Sequence, residues 1–161
     1  MNENDIITDG NAQFKVCKVT NNKSISNLSN EVNSLKDKAN ARYGFIKLPA
    51  ITVDETNPRY LYDITITTKG NPVYICVSGD NNPLTDSSWI NIYIYRNGVS
   101  LTHQIAESRG SSHNIPFSLS YLDVVGVGTY TYTLEINRGN GSTLLGEDDS
   151  IQSPQFIVYE I

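Results

Sequence analysis

The stretch that decides the fold is residues 89–105, Trp-Ile-Asn-Ile-Tyr-Ile-Tyr-Arg-Asn-Gly-Val-Ser-Leu-Thr-His-Gln-Ile. In its first half, isoleucines alternate with more polar side chains, which is the pattern of a strand with one buried face. Asn97-Gly98 follows, and this dipeptide favours a two-residue hairpin because both residues of a type I′ turn need a positive φ. The second half alternates again. The stretch therefore predicts two neighbouring antiparallel strands.

The same pattern extends outward from this hairpin. No helical spacing interrupts the seven or eight strands that it predicts. Such a sequence is typical of an all-β fold, and we predict a jelly-roll-like antiparallel sandwich head over residues 59–161. The further strand segments are 60–66, 73–77, 115–119, 130–136 and 156–161.

Tyrosines occur as i, i+2 pairs on these predicted strands. A tyrosine-lined sheet face suits a contact between subunits, because tyrosine brings a large apolar area and a hydroxyl that can be paired. Core packing is the alternative explanation for the inward half of them. His103 alternates with apolar residues and is predicted to be a packed or interface histidine. The tyrosine pairs are 60 and 62, 93 and 95, and 130 and 132.

An apolar seam runs through the otherwise polar residues 21–43, which we predict to be a short coiled-coil stalk. Its members are spaced three and four residues apart, the heptad pattern, over about two and a half heptads. So short and thinly apolar a helix is not stable alone in water, so copies of the chain are expected to complete it. The alternative is an amphipathic helix packed on the chain's own β domain. The residues predicted to join the copies are Ile25, Leu28, Val32, Leu35 and Ala39.

Residues 1–20 are predicted to be an extended arm that docks on another protein. Residues 1 to about 13 of this arm are rich in Asn, Asp and Glu, a composition that does not fold alone. Residues 14–19 alternate apolar and charged side chains, as a segment added to another sheet edge would, or as a short local strand would. Residues 44–58, interrupted by prolines, are predicted to be a neck between stalk and head. The predicted docking residues are Ile6, Ile7, Phe14 and Val16.

Charge and composition exclude several partners. The net charge of −5, without a basic cluster, argues against nucleic-acid binding. No apolar run approaches the roughly 18 residues of a membrane-spanning helix, and the acidic N-terminus is unlike a secretory signal, so we expect synthesis in the cytoplasm without cleavage. Cys17 and Cys76 lack a CxxC spacing and are expected to be reduced.

The chemistry of an enzyme is not found in the sequence. The only histidines are His103 and His113, too few to form a metal site with clustered carboxylates. A Gly-x-Ser-x-Gly motif and a recognisable catalytic carboxylate pair are also missing. We therefore predict no catalytic residue, no metal and no cofactor.

Three polar stretches, residues 78–88, 107–114 and 137–150, are predicted to be long loops. Loops of this composition suit sugar hydroxyls or a protein surface, although they are equally natural as solvated connections. Trp89 beside the first loop could stack on a sugar ring. The candidate contact residues, which are host-contact candidates under the resemblance described next, are Asp80, Asn82, Asp86, Trp89, Arg109, His113, Arg138 and Asn140.

An acidic arm, a heptad stalk, a proline-marked neck and a compact β head resemble the trimeric fibres of bacteriophage virions, head fibres and short tail fibres in particular. Residues 128–136 and 156–161 also resemble the late strands of TNF and C1q-type jelly-roll heads. The resemblance implies a homotrimer located in the virion, with its arm on a capsid or tail protein and its head contacting a glycan or protein of the host surface. The seam's own residue types favour two strands by the general rule, whereas the resemblance implies three. Two alternatives are a purely structural capsid decoration or adaptor protein and a small carbohydrate-active enzyme.

Overall fold

The structure is a computed structural model that describes residues 25–36, 42–108, 114–146 and 153–161. The chain divides into two compact units, Met1–Asn40 and Ala41–Ile161. The predicted docking residues, and with them Ala39, Arg109 and His113, lie outside the described residues.

The described part of the first unit is a helix over residues 25–36. Its seam faces solvent in the single chain, with exposed fractions of 64% for Ile25, 62% for Leu28, 42% for Val32 and 64% for Leu35. The predicted helix is confirmed over these residues. The coiled coil itself requires partner chains and stays a prediction.

The described residues of the second unit contain ten strands. They pair only in the antiparallel sense, and the pairs are nested, with β5 and β6 joined by the central hairpin. The strands are β1 (Tyr43–Lys47), β2 (Ile51–Val53), β3 (Arg59–Lys69), β4 (Val73–Pro83), β5 (Ser88–Arg96), β6 (Val99–Ser108), β7 (Ile115–Asp123), β8 (Val127–Asn140), β9 (Thr143–Leu145) and β10 (Gln155–Glu160).

The nested pairing folds one long antiparallel ribbon into two sheets. Sheet A has β4 at its centre, with β7 on one side and β10 and β9 on the other, flanked in turn by β1 and β2. Sheet B has the order β3, β8, β5, β6. Each sheet is thus four positions wide, and this double-sheet arrangement is that of a jelly roll. The predicted all-β antiparallel sandwich is confirmed.

The segment predicted to be a neck, residues 44–58, differs from the prediction. It contains most of β1 and all of β2, which pair with β10 and β9. Leu48, Ile51 and Val53 are buried in the core. The stretch is therefore part of the sandwich, which begins at Tyr43 rather than at residue 59, because burial of its apolar residues outweighs the proline breaks between them.

The alternating strands meet in one core between the sheets. Ile90, Ile92 and Ile94 of β5 are buried, as the alternation predicted, while Val73, Ile75 and Val77 contribute from sheet A. The hairpin between β5 and β6 turns at Asn97 and Gly98, whose φ values of 48° and 80° are the positive values that the dipeptide predicted.

The strand connections fall at two ends of the sandwich. Residues 54–58, 84–87 and 141–142 lie at one end, which we call the loop end, and β6 finishes and β7 begins there. Backbone hydrogen bonds join these connections, from Leu84 N to Ser142 O at 2.9 Å and from Arg138 N to Pro58 O at 2.7 Å. The opposite end holds the start of β1 and the C-terminal residue, whose amide donates to the carbonyl of Pro72 at 2.9 Å.

A buried ionic cluster joins the two sheets near that opposite end. Asp123 of β7 accepts hydrogen bonds from Arg96 Nη1 at 2.8 and 3.0 Å and from the Tyr132 hydroxyl at 2.9 Å. Arg96 and Tyr132 belong to sheet B, whereas Asp123 belongs to sheet A. Burial and the bond to Asp123 raise the pKa of Tyr132, so its hydroxyl stays a donor.

Candidate interaction surfaces

The outer face of sheet A carries large apolar side chains side by side. The register aligns Tyr43, Tyr159, Tyr74 and Leu122 in one row across four strands, with Phe45 and Ile157 in the next row. The Tyr74 and Tyr159 rings lie 5.5 Å apart. We call this surface the aromatic face; its members are Tyr43, Phe45, Tyr74, Leu122, Ile157 and Tyr159.

The aromatic face is exposed in the single chain. Exposed fractions are 51% for Tyr43, 45% for Phe45, 52% for Leu122 and 37% for Tyr159. Large aromatic side chains present roughly 150–250 Å² each, so this face leaves on the order of 400 Å² of apolar surface in water. That is comparable with the largest apolar patch of a typical monomer, and such patches often mark interfaces.

None of these six residues was singled out from the sequence. Their strands lie far apart in the chain, and only the strand register brings them together. The tyrosine pairs that were singled out behave differently: Tyr132 is buried, Tyr60, Tyr62 and Tyr130 pack against the core, and Tyr93 and Tyr95 lie on the outer face of sheet B.

Of the polar stretches predicted to be loops, 78–88 and 137–150 are largely strands in the residues that the structure describes. β4 continues to Pro83, β8 to Asn140, and β9 occupies Thr143–Leu145. Polar residues can continue these strands because they are paired inside the fold: Thr143 Oγ1 donates to Asn81 Oδ1, and Asn81 Nδ2 donates to Ala106 O at 3.2 Å. The 84–87 and 141–142 connections are therefore shorter than predicted.

A polar groove of about 510 Å³ lies at the loop end. Its walls come from three connections that are tied together, since Asn140 Nδ2 donates to Ser87 O at 2.8 Å and Ser142 N donates to Thr85 Oγ1 at 2.9 Å. Arg138 Nε donates to Gly141 O at 2.7 Å, and its Nη2 pairs with Glu55 at 3.1 Å. The lining residues are Asp54, Glu55, Thr56, Thr85, Arg138, Asn140, Gly141 and Ser142.

The structure brings together part of the predicted host-contact set. Arg138 and Asn140 line the groove, and Asp86 is exposed in the turn at the same end. Asp80 and Asn82, by contrast, lie within β4 rather than in a loop. Two further members, Arg109 and His113, are outside the described residues.

Trp89, the last member of that set, is half-buried on the outer face of sheet B. It lies over Gly139, where a Cβ atom would come within 1.9 Å of the indole Cδ1 and Nε1 atoms. The register between β5 and β8 shifts at this point, so the glycine and the irregularity make room for the ring. One part of the indole is thus used for packing against the strand.

A second group on the outer face of sheet B surrounds Glu135. Only 7% of its side chain is exposed, although it points away from the core. Arg59 Nη2 donates to Glu135 Oε2 at 2.7 Å, and Asn137 Nδ2 donates to Oε1 at 2.8 Å. Burial alone would raise the pKa of Glu135, but the hydrogen bonds from Arg59 and Asn137 outweigh it and hold the pKa below its usual value. The carboxylate is therefore ionised and paired.

Aromatic rings lie beside this carboxylate. Tyr93 is directly opposite Glu135 in the register and stacks on His103, with ring centroids 5.5 Å apart and an interplanar angle of 21°. Tyr95 lies 6.1 Å from Tyr93 between ring centroids, and burial next to Glu135 raises the pKa of Tyr95. His103 is thus stacked on Tyr93 but exposed, so its prediction as a packed or interface histidine stays a prediction.

The described residues give no sign of a metal centre or a membrane span. Within them, no group of three or more His, Cys, Asp or Glu side chains is placed to hold a metal ion. No helix in the same part of the chain is both long enough and apolar enough to cross a bilayer. Cys76, on the outer face of sheet A, is a free thiol.

Comparison with known proteins does not place the chain in a family. No family model and no curated protein matches the sequence. Similar solved structures include dimeric latent PorU from Porphyromonas gingivalis (8% identity, TM-score 0.48), infectious bursal disease virus Gx strain (9%, 0.36) and a pentameric capsid protein isolated from metagenomic phage sequences (16%, 0.27). The matches cover 74%, 74% and 65% of this chain and 13%, 36% and 62% of those chains, respectively. Two of the three are thus a virus structure and a phage capsid protein, but likenesses this weak carry no argument about function, and the jelly-roll assignment rests on the strand order alone.

Proposed function

We propose that this chain is a non-enzymatic homotrimeric fibre of a bacteriophage virion. In this proposal residues 1–20 dock on a capsid or tail protein, the helix seam and the aromatic face join three copies, and the loop end of the sandwich meets the host surface. The observation that carries the proposal is that both apolar surfaces, on two separate units, are exposed in the single chain.

The helix seam favours identical copies as partners. A heptad stripe is completed by another stripe of the same spacing, and a second copy of the chain always supplies one. The aromatic face fits the same occupant because it is continuous across four strands and carries no charged residue within its two rows. An isologous or ring-forming contact between copies would remove it from water.

The trimer is preferred over a dimer on the strength of the resemblance to phage fibres. Ile25 and Val32 at position a, with leucine at d, favour two strands in a long coiled coil. With so short a seam, we propose that the aromatic face of the heads decides the number of copies.

Light scattering on the full chain tests the assembly. We expect a mass of about three times 17.9 kDa at micromolar concentration. Phe45→Asp should lower the mass, since it places an unpaired charge in the contact, whereas Thr65→Asp on the outer face of sheet B should leave it unchanged. A monomeric wild-type protein would contradict the proposal.

Deleting residues 1–20 tests the anchor. The truncated chain should remain a folded oligomer, because all ten described strands lie after residue 42. It should no longer be incorporated into virions, because the deletion removes the predicted docking residues Ile6, Ile7, Phe14 and Val16. Incorporation at the wild-type level would place the anchor elsewhere. A separate experiment tests the alternative role as a decoration or adaptor protein. It uses virions that carry the full-length chain with its loop-end residues altered, and unchanged attachment of these virions to hosts would favour that role.

A further inference from the structure

One half of the outer face of sheet B is built differently from the other half. Towards the end opposite the loop end, the face is a plain solvated surface of exposed threonine pairs, with Thr65 and Thr131 hydroxyls 2.9 Å apart and Thr67 and Thr129 hydroxyls 3.0 Å apart. Towards the loop end, it carries aromatic rings, amides and a buried carboxylate. We call this second half the polar-aromatic patch; its members are Arg59, Asn91, Tyr93, His103, Glu135 and Asn137.

The polar groups of the patch are held in place before any ligand arrives. Asn91 Nδ2 donates to Asn137 Oδ1 at 3.1 Å, Asn137 donates in turn to Glu135, and Arg59 donates to the same carboxylate. The Arg59 side chain is still 56% exposed, and a guanidinium has five N–H groups, so it has donors left for a ligand. Preorganised donors and acceptors of this kind lower the entropy cost of binding.

The rings add an apolar platform next to these groups. Tyr93 and His103 stack on each other on the outer face, and His103 is exposed. A surface that combines aromatic rings with neighbouring hydrogen-bonding groups is complementary to a molecule with apolar C–H faces and hydroxyl edges. Pyranose sugars have this form.

The charges of the patch and of the chain disfavour an anionic ligand. Arg59 and Glu135 form an ion pair at 2.7 Å, so the patch offers no uncompensated charge from these two groups. The chain as a whole carries a net charge of −5, which disfavours anionic ligands. We propose that the polar-aromatic patch binds neutral saccharide chains of hexose or N-acetylhexosamine units. The biological setting of this site rests on the proposed fibre function, but the binding itself belongs to the sandwich.

The patch is compatible with the proposed trimer. The aromatic face is on the outer side of sheet A, and the patch is on the outer side of sheet B, so a contact through the first leaves the second open. Several heads on one particle would add avidity, so a weak single site suffices.

The experiment first probes an oligosaccharide array with the full chain. The array carries neutral hexose and N-acetylhexosamine oligosaccharides, and sialylated and sulfated oligosaccharides form its charged arm. Neutral hits are then titrated by tryptophan fluorescence, because Trp89 is the only tryptophan and lies on the same face. We expect Tyr93→Ala and His103→Ala each to weaken binding about tenfold, as loss of a stacking partner does at other interfaces. Thr131→Ala, on the threonine half of the face, should change it less than about twofold.

His103→Ala keeps the test decisive if Tyr93→Ala fails to fold, because His103 is exposed. Several results would overturn the proposal: no binding of neutral saccharides at multivalent density, binding of the charged arm alone, or neutral binding that is insensitive to both substitutions. Capture of a host surface protein that depends on Tyr93 and His103, without saccharide binding, would assign the patch to a protein partner instead. Light scattering on the same sample distinguishes failure of the saccharide site from failure of the proposed fibre function. A trimer that binds no saccharide would overturn the saccharide proposal and leave the fibre proposal standing.

Discussion

Replacing Asp123 by alanine is the most direct test of how the two sheets are held together. The carboxylate is 7% exposed and accepts three hydrogen bonds from sheet B, two from Arg96 and one from Tyr132. Removing it leaves the Tyr132 hydroxyl buried at 0% exposure without its acceptor. Arg96 is 31% exposed and can regain water, so the loss lies at the lower end of the range for a broken buried pair, about 3 kcal/mol.

The expected signal is large for a domain of this size. A loss of about 3 kcal/mol corresponds to a fall of roughly 10 °C in Tm for a domain of a little over 100 residues. Urea and thermal denaturation followed by circular dichroism measure it. Asp63→Ala is the matched control, because Asp63 accepts one bond, from the exposed Thr133 hydroxyl at 2.6 Å, and its loss should cost less than about 0.5 kcal/mol.

A double-mutant cycle tests whether Asp123 and Tyr132 stabilise the fold together. Tyr132→Phe alone should cost about 1 kcal/mol, since it removes one hydrogen bond and leaves the carboxylate paired with Arg96. In the Asp123→Ala background the same substitution should be neutral or stabilising, because it removes a hydroxyl that has lost its partner. Additive effects would show that Asp123 and Tyr132 do not act together. The proposed role of the buried ionic cluster in holding the two sheets together would then be wrong.

Three further predictions concern single groups. The pKa of Glu135 is lowered in the folded state, so the stability that this carboxylate contributes is present above the unfolded carboxyl pKa of about 4.3 and is lost as the pH falls through the folded pKa. Glu135→Gln should therefore flatten the acid side of a profile of unfolding free energy measured between about pH 2 and pH 7. An unchanged acid side would contradict this. Gly44→Ala should destabilise the sandwich by about 1–3 kcal/mol in urea denaturation, because the new Cβ would lie 2.1 Å from Ile64 Cγ2. The control is Gly126→Ala, which should be nearly neutral because its Cβ would meet no atom within 4 Å. Leu28→Asp with Leu35→Asp should shift the assembly to lower mass in sedimentation velocity, since both residues lie on the predicted seam; an unchanged mass at nanomolar concentration would show that the helix is dispensable for association.

The strands that the sequence predicted well are those whose buried face is uniformly apolar. Ile90, Ile92 and Ile94 are all buried, and the Asn97-Gly98 turn closes the hairpin where the dipeptide placed it. Alternation predicts burial only when every inward position is apolar. It therefore failed for the ends of β4 and for β9, where Asn81 and Thr143 face inward and satisfy each other.

The short strands were not predicted from the sequence, for a different reason. β2 has three residues, too few for a period of two to be distinguished from chance, and Pro49 precedes it. Its place in the sandwich is set by pairing with β9, whose partner residues lie about 90 positions further along the chain. Local patterns cannot report contacts of that kind, and the same limit hid the aromatic face and the Glu135 network, whose members come from separate strands.

The location of the polar connections depends on how many strands precede each one. In an antiparallel fold the chain reverses at every strand, so connections alternate between the two ends. Miscounting one strand early in the chain moves every later connection to the opposite end. Because β1 and β2 occupy a single position in sheet A, the 54–58, 84–87 and 141–142 connections share one end, and Tyr43 begins the sandwich at the other. The groove beside Arg138 and Asn140 therefore lies at the end of the sandwich opposite Tyr43, where the first strand begins.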